Sequence, residues 1–418
     1  MNPTQSDRLL VLVCLVSLLS TVGMALPYPI LTPLFVNGPA DGFTRFAGLP
    51  SEWLLGVALA INPLGILLGS FWLGPLSDRL GRRPVLMASL LAGALAHALT
   101  AFAITQRNYP LFIVARLASG LCEGNIAIAR ALLADAYAPA ERTRAFALLN
   151  AFAYAGWLVG PLLGGWVFAY GGGAPFLLAA ALNLPAWLLA YRALPREQRV
   201  AATSPQQGLG TWAVLRAEPG LRALAACHIA LTLGVNALYE YAPLWLVQRW
   251  GWGSAGIAWV TAAQCAVMVG ASMAAAGLLA RLHAWAPRTQ AALATASLMA
   301  VAVAAGLAVL ATGQPHGGLM AILLMGVPIA LYNAVLPTHL AARYMHLGQG
   351  RVMGMMTTWF CIANVVISLV GGVLGWLDVR WTMGLGAACC LLAAWWLRGA
   401  LDQDRAMTGA VAQGEQTT

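Results

Sequence analysis

The sequence predicts an all-α membrane protein, with twelve transmembrane helices arranged as two six-helix pseudo-symmetric halves. Three observations predict it. Of 418 residues, 60% are hydrophobic and only 9% charged, whereas a soluble domain carries about 25% charged residues. Apolar runs of the ~20 residues needed to cross a bilayer recur from end to end. Segments in the second half also echo the first. "RAFALLNAF" from Arg144 matches "RVMGMMTTW" from Arg351, and at the same offset Gly164-Gly165 meets Gly371-Gly372. "GPLSDRL" at Gly74 has a worn counterpart, "GLLARL", at Gly277. Such a period marks an internal repeat.

Breaks at charged and Gly/Pro-rich points place spans 1 to 6 at 9–35, 53–73, 85–105, 110–136, 145–169 and 175–193. Spans 7 to 12 fall at 221–247, 255–280, 289–312, 318–343, 352–376 and 381–399. Each must be helical, because lipid offers backbone amides no partner. Span 1 follows Arg8 as a signal peptide would, but it runs to Phe35 without a small-x-small cleavage site, so a retained helix is expected. The polar connection after Ala193 ("REQRVAATSPQQG") divides the chain. The expected organisation is an N-terminal half over 1–193, a cytoplasmic central loop over 194–220, a C-terminal half over 221–400 and a tail over 401–418.

The net charge of +9 does not point to nucleic acid. There is no Lys, and the arginines sit mostly in short connections rather than on a basic face with interleaved aromatics. Only Arg45, Arg107, Arg249 and Arg380 lie in one set of loops. The opposite set and the tails hold Arg8, the Arg79/Arg82/Arg83 cluster, Arg142, Arg144, Arg281, Arg288, Arg343, Arg351 and the central-loop arginines. The positive-inside rule then makes both termini cytoplasmic. All seven Cys fall within apolar segments, none with metal-ligand spacing, and read as small buried hydrophobes. No metal and no enzymatic constellation is expected.

Three motifs carry a family resemblance. "GPLSDRLGRRP" resembles the span 2–3 signature of the major facilitator superfamily at Gly74, Leu76, Asp78, Arg79, Gly81, Arg82 and Arg83. "RLASGLCEGN" from Arg116 resembles the signature in which an intramembrane Arg precedes a small-residue run. "GWLVGPLLGG" matches the span 5 signature of its proton-coupled antiporters at Gly156, Gly160, Pro161, Gly164 and Gly165. The stretch "ARALLADAYAPAERTRAFALLNAF" is similar to tetracycline/H+ antiporters and their drug-exporting relatives.

The resemblance implies the major facilitator fold, with a substrate site between the halves. It also implies a cytoplasmic gate in which Asp78 caps the start of span 11 near Gly350–Gly354 and Arg82 pairs with Asp135. A carboxylate at a helix N-terminus is favoured by free amides and by the dipole. The glycine stripe of span 5, kinked at Pro161, is expected to pack on "GASMAAAG", Gly270 to Gly277 in span 8.

Ionisable groups inside a membrane are functional candidates by default. Arg116 and Glu123, seven residues apart, share a face of span 4 at about 10 Å along the axis, and Arg130 repeats the spacing. Burial and a neighbouring Arg act in opposite senses on a carboxyl's proton affinity. Glu123, Arg116 and Glu240 are therefore the candidate proton-coupling residues, the alternative being a fixed Arg116–Glu123 ion pair. Asn150, Asn333, Tyr239 and Trp359 are the candidate cavity residues. Asn62, Gln264, Tyr332 and Asn364 are expected to make interhelical hydrogen bonds, and His97 is read as structural. Many drug/H+ antiporters carry an Asp in span 1 where this chain has Ser20.

The expectation is thus a monomeric, multi-pass inner-membrane exporter of small amphipathic molecules or drugs in exchange for protons. It would need no cofactor beyond the proton gradient, and its partners would be substrate, protons and lipid, not nucleic acid. Export of an endogenous metabolite such as a siderophore or sugar, and passive facilitation or uptake, remain the alternatives.

Overall fold

A computed structural model describes residues 3–123, 128–129, 132–133, 136–137, 139–194, 218–283, 288–344 and 349–416. Among them there is helix and connecting turn but no strand. In chain order the α-helices are α1 (Pro3–Ala25), α2 (Tyr28–Val36), α3 (Ser51–Leu80), α4 (Arg82–Thr105), α5 (Tyr109–Glu123), α6 (Pro139–Val167) and α7 (Ala174–Ala193). They continue as α8 (Pro219–Trp250), α9 (Ser254–His283), α10 (Arg288–Thr312), α11 (Pro315–Leu324), α12 (Gly326–Arg343) and α13 (Gln349–Gln416).

Among the described residues ten segments are long and apolar enough to span a bilayer. The last, Gly354–Leu401, has 48 residues. A straight helix of that length would be about 70 Å long, more than twice a bilayer's apolar thickness. Its backbone breaks at Asp378 (φ −169°, ψ 129°), dividing it into spans 11 and 12. Span 4 is not among the ten because α5 ends, within the described residues, at Glu123. Spans 1 and 10 are each broken in two. Span 1 breaks before Tyr28, where Pro27 and Pro29 follow the last residues of α1, since proline supplies no amide to continue the ladder. Span 10 changes helix at Met325.

The residues form two compact units, Met1–Gln207 with Leu246–Ala262, and Gly208–Trp245 with Ala263–Thr418. In the first, α1 packs on α6 and α7, α3 on α5, and α4 on α5 and α7. A core of Leu12, Val16, Leu90, Leu133, Leu149 and Ala186 fills the cluster. In the second unit, α10 packs on α12 and α13. Both units leave large apolar side chains exposed, among them Leu95, Phe102, Leu177, Trp259 and Trp395, as helices that face lipid must.

The "GPLSDRLGRRP" turn is tighter than a loop bracketed by Gly74 and Gly81. α3 runs through Pro75 to Leu80 and α4 starts at Arg82. Gly81 alone reverses the chain, at φ +95°, a conformation a residue with a Cβ rarely adopts.

Candidate functional site

The site is built from a close contact of backbones. A Cβ placed on Gly65 of α3 would lie 2.6 Å from the Leu117 carbonyl oxygen of α5, and one on Gly120 would strike the Asn62 carbonyl oxygen. With no side chain between them, the two helices meet backbone to backbone. That approach delivers the Asn62 amide to α5. Its Nδ2 donates to Glu123 Oε2 at 3.0 Å and lies 3.3 Å from Ser119 Oγ. Ser119 Oγ in turn donates to the Arg116 carbonyl at 2.9 Å.

α4 closes the other side. Gly93 faces Cys122, to whose Cβ an added Cβ would lie 3.6 Å. One turn further, His97 Nε2 stands 3.5 Å from Glu123 Oε1. His97 is 2% exposed and Glu123 8%. The Arg116 guanidinium, also buried, lies 5.8 Å from the ring centroid of Phe176 in α7. Three helices thus contribute a carboxylate, a guanidinium, an imidazole and an amide to one enclosed polar group, and α7 adds the Phe176 ring. His97, expected to be structural, stands beside this carboxylate, and the interhelical hydrogen bond expected of Asn62 is made to the same group.

A second cluster lies in the second unit. Asn364 Nδ2 donates to Glu240 Oε1 at 3.0 Å, Ser368 Oγ to Asn364 Oδ1 at 3.3 Å, and Tyr241 Oη to the Ser368 carbonyl. Glu240 is buried, not open to an outer vestibule. The pairing depends on Gly371 and Gly375. A Cβ on the first would run into the Tyr241 ring, and one on the second would come 3.0 Å from Leu244.

Two turns before Asn236, His228 accepts or donates at 3.2 Å to Tyr332 Oη. Their rings are parallel, and Trp359 tilts against His228 at 6.1 Å between centroids. His228, Thr232, Asn236 and Glu240 recur every four residues and are all buried, forming one polar stripe along α8. Neither amide atom of Asn236 has a hydrogen-bond partner among the described residues. The four-residue spacing is visible in the sequence, but it was obscured by the apolar residues between.

The remaining candidates are less connected. Tyr239 Oη reaches Met268 Sδ at 3.4 Å, Trp359 joins the His228 cluster, and Asn333 is exposed. At the gate, Arg82 Nη1 donates to Ser77 Oγ at 2.7 Å and Arg83 Nη2 to the Tyr191 carbonyl at 2.5 Å, while Arg79 is exposed. Asp135 and Arg130, and the side chains of Asp78 and Asn150, lie outside the described residues.

The span 5 stripe meets span 1, while "GASMAAAG" belongs to the second unit and is described with it. A Cβ on Gly156 would come 2.8 Å from Thr21 Cβ, one on Gly160 2.6 Å from Ala25 Cβ, and one on Gly164 would strike the Leu26 carbonyl oxygen. Only Gly165 faces span 8, and at its first turn, at Ser254 and Ala258. Gly270 has nothing within 4 Å. The reason is geometric: Gly156, Gly160 and Gly164 share one face of the helix, and Gly165, one residue on, is turned about 100° from it.

Outside the membrane, Asp41 Oδ1 accepts the amides of Phe43 (2.9 Å) and Thr44 (3.2 Å), and its Oδ2 accepts Arg107 Nε at 2.5 Å. Arg107 also lies over the Phe43 ring at 4.9 Å. The hydrogen bond from Arg107, with the two amides, holds the Asp41 carboxyl below its ordinary range. The sequence reading had counted Arg107 only as an outer-loop charge.

Comparison with known proteins agrees with this architecture. Residues 9–366 match the family profile described as Major Facilitator Superfamily. The chain belongs to that superfamily and is a multi-pass membrane protein. Among relatives, it is 32% identical over 174 residues to the Escherichia coli tetracycline resistance protein, class B, covering 42% of this chain and 41% of that one. Against the class C protein of Escherichia coli identity is 34% over 179 residues, covering 43% of each. The chain thus spans somewhat under half the length of the curated relatives it matches. A D-xylose-proton symporter shares the fold at TM-score 0.73 and 16% identity, covering 94% of this chain and 97% of that one. The human organic anion transporter MFSD10 does so at TM-score 0.64 and 20% identity, covering 95% and 100%.

Proposed function

We propose that the protein is a proton-coupled exporter of small amphipathic molecules, working by alternating access, with Glu123 as the group that takes up and releases the proton. The observation that carries this reading is the enclosed Glu123 cluster. A carboxyl held by Asn62, beside His97 and within the field of Arg116, has a partner for each of its two charge states: the amide and guanidinium for the anion, the imidazole for a shared proton. Buried ionisable groups in membrane bundles are costly and mark ion or proton paths. The span 5 signature and the tetracycline-resistance relatives support export over uptake.

Substrate contact falls to the α8 stripe, where the Asn236 amide stands without a partner among the described residues and Trp359 offers a flat face. Arg116 and Arg130, with few cavity acids beyond Glu123, favour an anion or zwitterion over a cation. The gate at Asp78, Arg82 and Asp135, and a cytoplasmic position for both termini in the inner membrane, belong to the same proposal.

Reconstituted protein tests it directly. Liposomes acidified inside should accumulate labelled tetracycline or another amphipathic probe from a toxicity panel, and collapsing the gradient with a proton ionophore should empty them. Equilibration of every transported probe regardless of the gradient would establish a passive facilitator instead.

A further inference from the structure

The strongest unassigned feature lies on an exposed face of the first unit, where the start of α4 meets the end of α7. A groove of about 510 Å³ opens there, lined by Arg83, Met87, Leu91, Trp187 and Tyr191 among others. Arg83 sits at its head. Its Nη2 donates to the Tyr191 carbonyl and its guanidinium lies 5.5 Å from the Tyr191 ring centroid. Its Nε is buried and has no hydrogen-bond acceptor, and no carboxylate pairs with it among the described residues. Trp187 stacks on Tyr191 at 5.5 Å with the planes 7° apart. Arg192, next in sequence to Tyr191 in the last turn of α7, is a further exposed positive charge.

Beyond this head, both helices present an apolar strip toward the opposite face of the membrane. On α4, Leu91, Leu95 and Phe102 are exposed, and on α7, Leu188, Leu184 and Leu177. Their spacing keeps each set on one side of its helix.

From this order of chemistry we infer a binding site for an anionic phospholipid. The phosphate meets Arg83 and Arg192, the ester region lies against the Trp187–Tyr191 shelf, and an acyl chain follows the leucine strip. Each part has its physical reason. Guanidinium matches phosphate with paired donors. Trp and Tyr prefer the level of the headgroups. Basic pockets between membrane helices hold anionic headgroups through a charge that a zwitterionic lipid does not supply. A carbonyl already fixes one edge of the Arg83 fork, so the guanidinium is oriented before the lipid arrives. The site is separate from the Glu123 cluster and does not depend on the coupling proposal.

Native mass spectrometry of the full chain with phosphatidylglycerol and with phosphatidylethanolamine tests the inference. Retention of phosphatidylglycerol should exceed that of phosphatidylethanolamine, and Arg83→Gln should lower it about five-fold, the effect of one cationic contact. Arg83→Lys should restore most of it, which separates loss of charge from loss of fold, and Trp187→Leu should weaken it. Arg380→Gln, at an exposed arginine paired with Asp378, should leave it unchanged. Equal retention of the two lipids, or undiminished phosphatidylglycerol on Arg83→Gln, would overturn the site. So would displacement by soluble glycerophosphate, which would mean a phosphate pocket without a lipid. A dimer lost on the same substitution would make the face an interface between copies, and would also overturn it.

Discussion

At the scale of residues, the account turns on what surrounds one carboxylate. Glu123 receives a single amide hydrogen bond at 3.0 Å, and His97 stands slightly beyond strong hydrogen-bond distance at 3.5 Å. Asn62→Ala removes that amide from a buried acid and should cost about 2 kcal/mol of stability, seen as a lower unfolding temperature in detergent. His97→Gln keeps a polar side chain but cannot share a proton as imidazole does. It should move the midpoint of the pH–rate profile while leaving apparent KM for substrate near its wild-type value. A purely structural His97 would change stability and leave the profile in place. Glu123 and Arg116 are legible in the sequence because charges stand out in an apolar segment. His97 and Asn62 are less so: one sequence does not say which face of span 3 or span 2 meets span 4. The clue was Gly65, Gly69 and Gly120, small residues that let those helices touch, Gly65 at Leu117 and Gly120 and Gly69 at Leu121. His228 and Asn236 fall under the same difficulty, since a polar residue every fourth position is common on helices and only burial makes it informative.

At the scale of elements, the span 5 glycines show what their spacing fixes and what it does not. Their four-residue spacing predicts a close helix contact, and one exists, but with span 1. Nothing in a stripe of small residues names the helix that lies against it. Gly160→Leu should therefore force apart α1 and α6 and destabilise the protein by at least the ~1–3 kcal/mol typical of overpacking. Gly270→Leu, with open space around it, should leave the unfolding temperature nearly unchanged. Equal losses at the two positions would contradict the close contact of α1 and α6.

The outer Asp41–Arg107 clasp makes a further prediction. The Asp41 carboxyl is held below its unfolded value, so its contribution is present in full above the ordinary carboxylate range and is lost as pH falls through the lowered folded value. Protease nicking of the 37–50 connection should accordingly rise in wild type only at strongly acidic pH. Asp41→Asn should raise it at neutral pH as well and flatten the pH dependence.

At the scale of the whole molecule, the helical spans were readable because lipid leaves the backbone no choice. A run of apolar residues without an alternative hydrogen-bond partner has to be helical, and every expected span except the fourth, described only in part, falls on described helix. What composition could not locate were the breaks within spans 1 and 10 and the single-residue turn at Gly81, which depend on backbone angles. The internal repeat gains a physical meaning. Gly164 packs on span 1 and its counterpart Gly371 on Tyr241 of span 7, the equivalent helix of the second half, so the duplicated glycines perform the same packing role twice.

The central claim, that Glu123 couples transport to protons, is tested most directly in everted membrane vesicles. A neutral Gln at that position keeps nearly the shape of the acid and can still accept a hydrogen bond from Asn62, so the substrate path should remain intact. Wild-type vesicles acidified inside should accumulate probe against its gradient, whereas Glu123→Gln vesicles should show only exchange that ignores the gradient. Gradient-driven uptake retained in Glu123→Gln and lost in Glu240→Gln would contradict the account and place the proton site on α8.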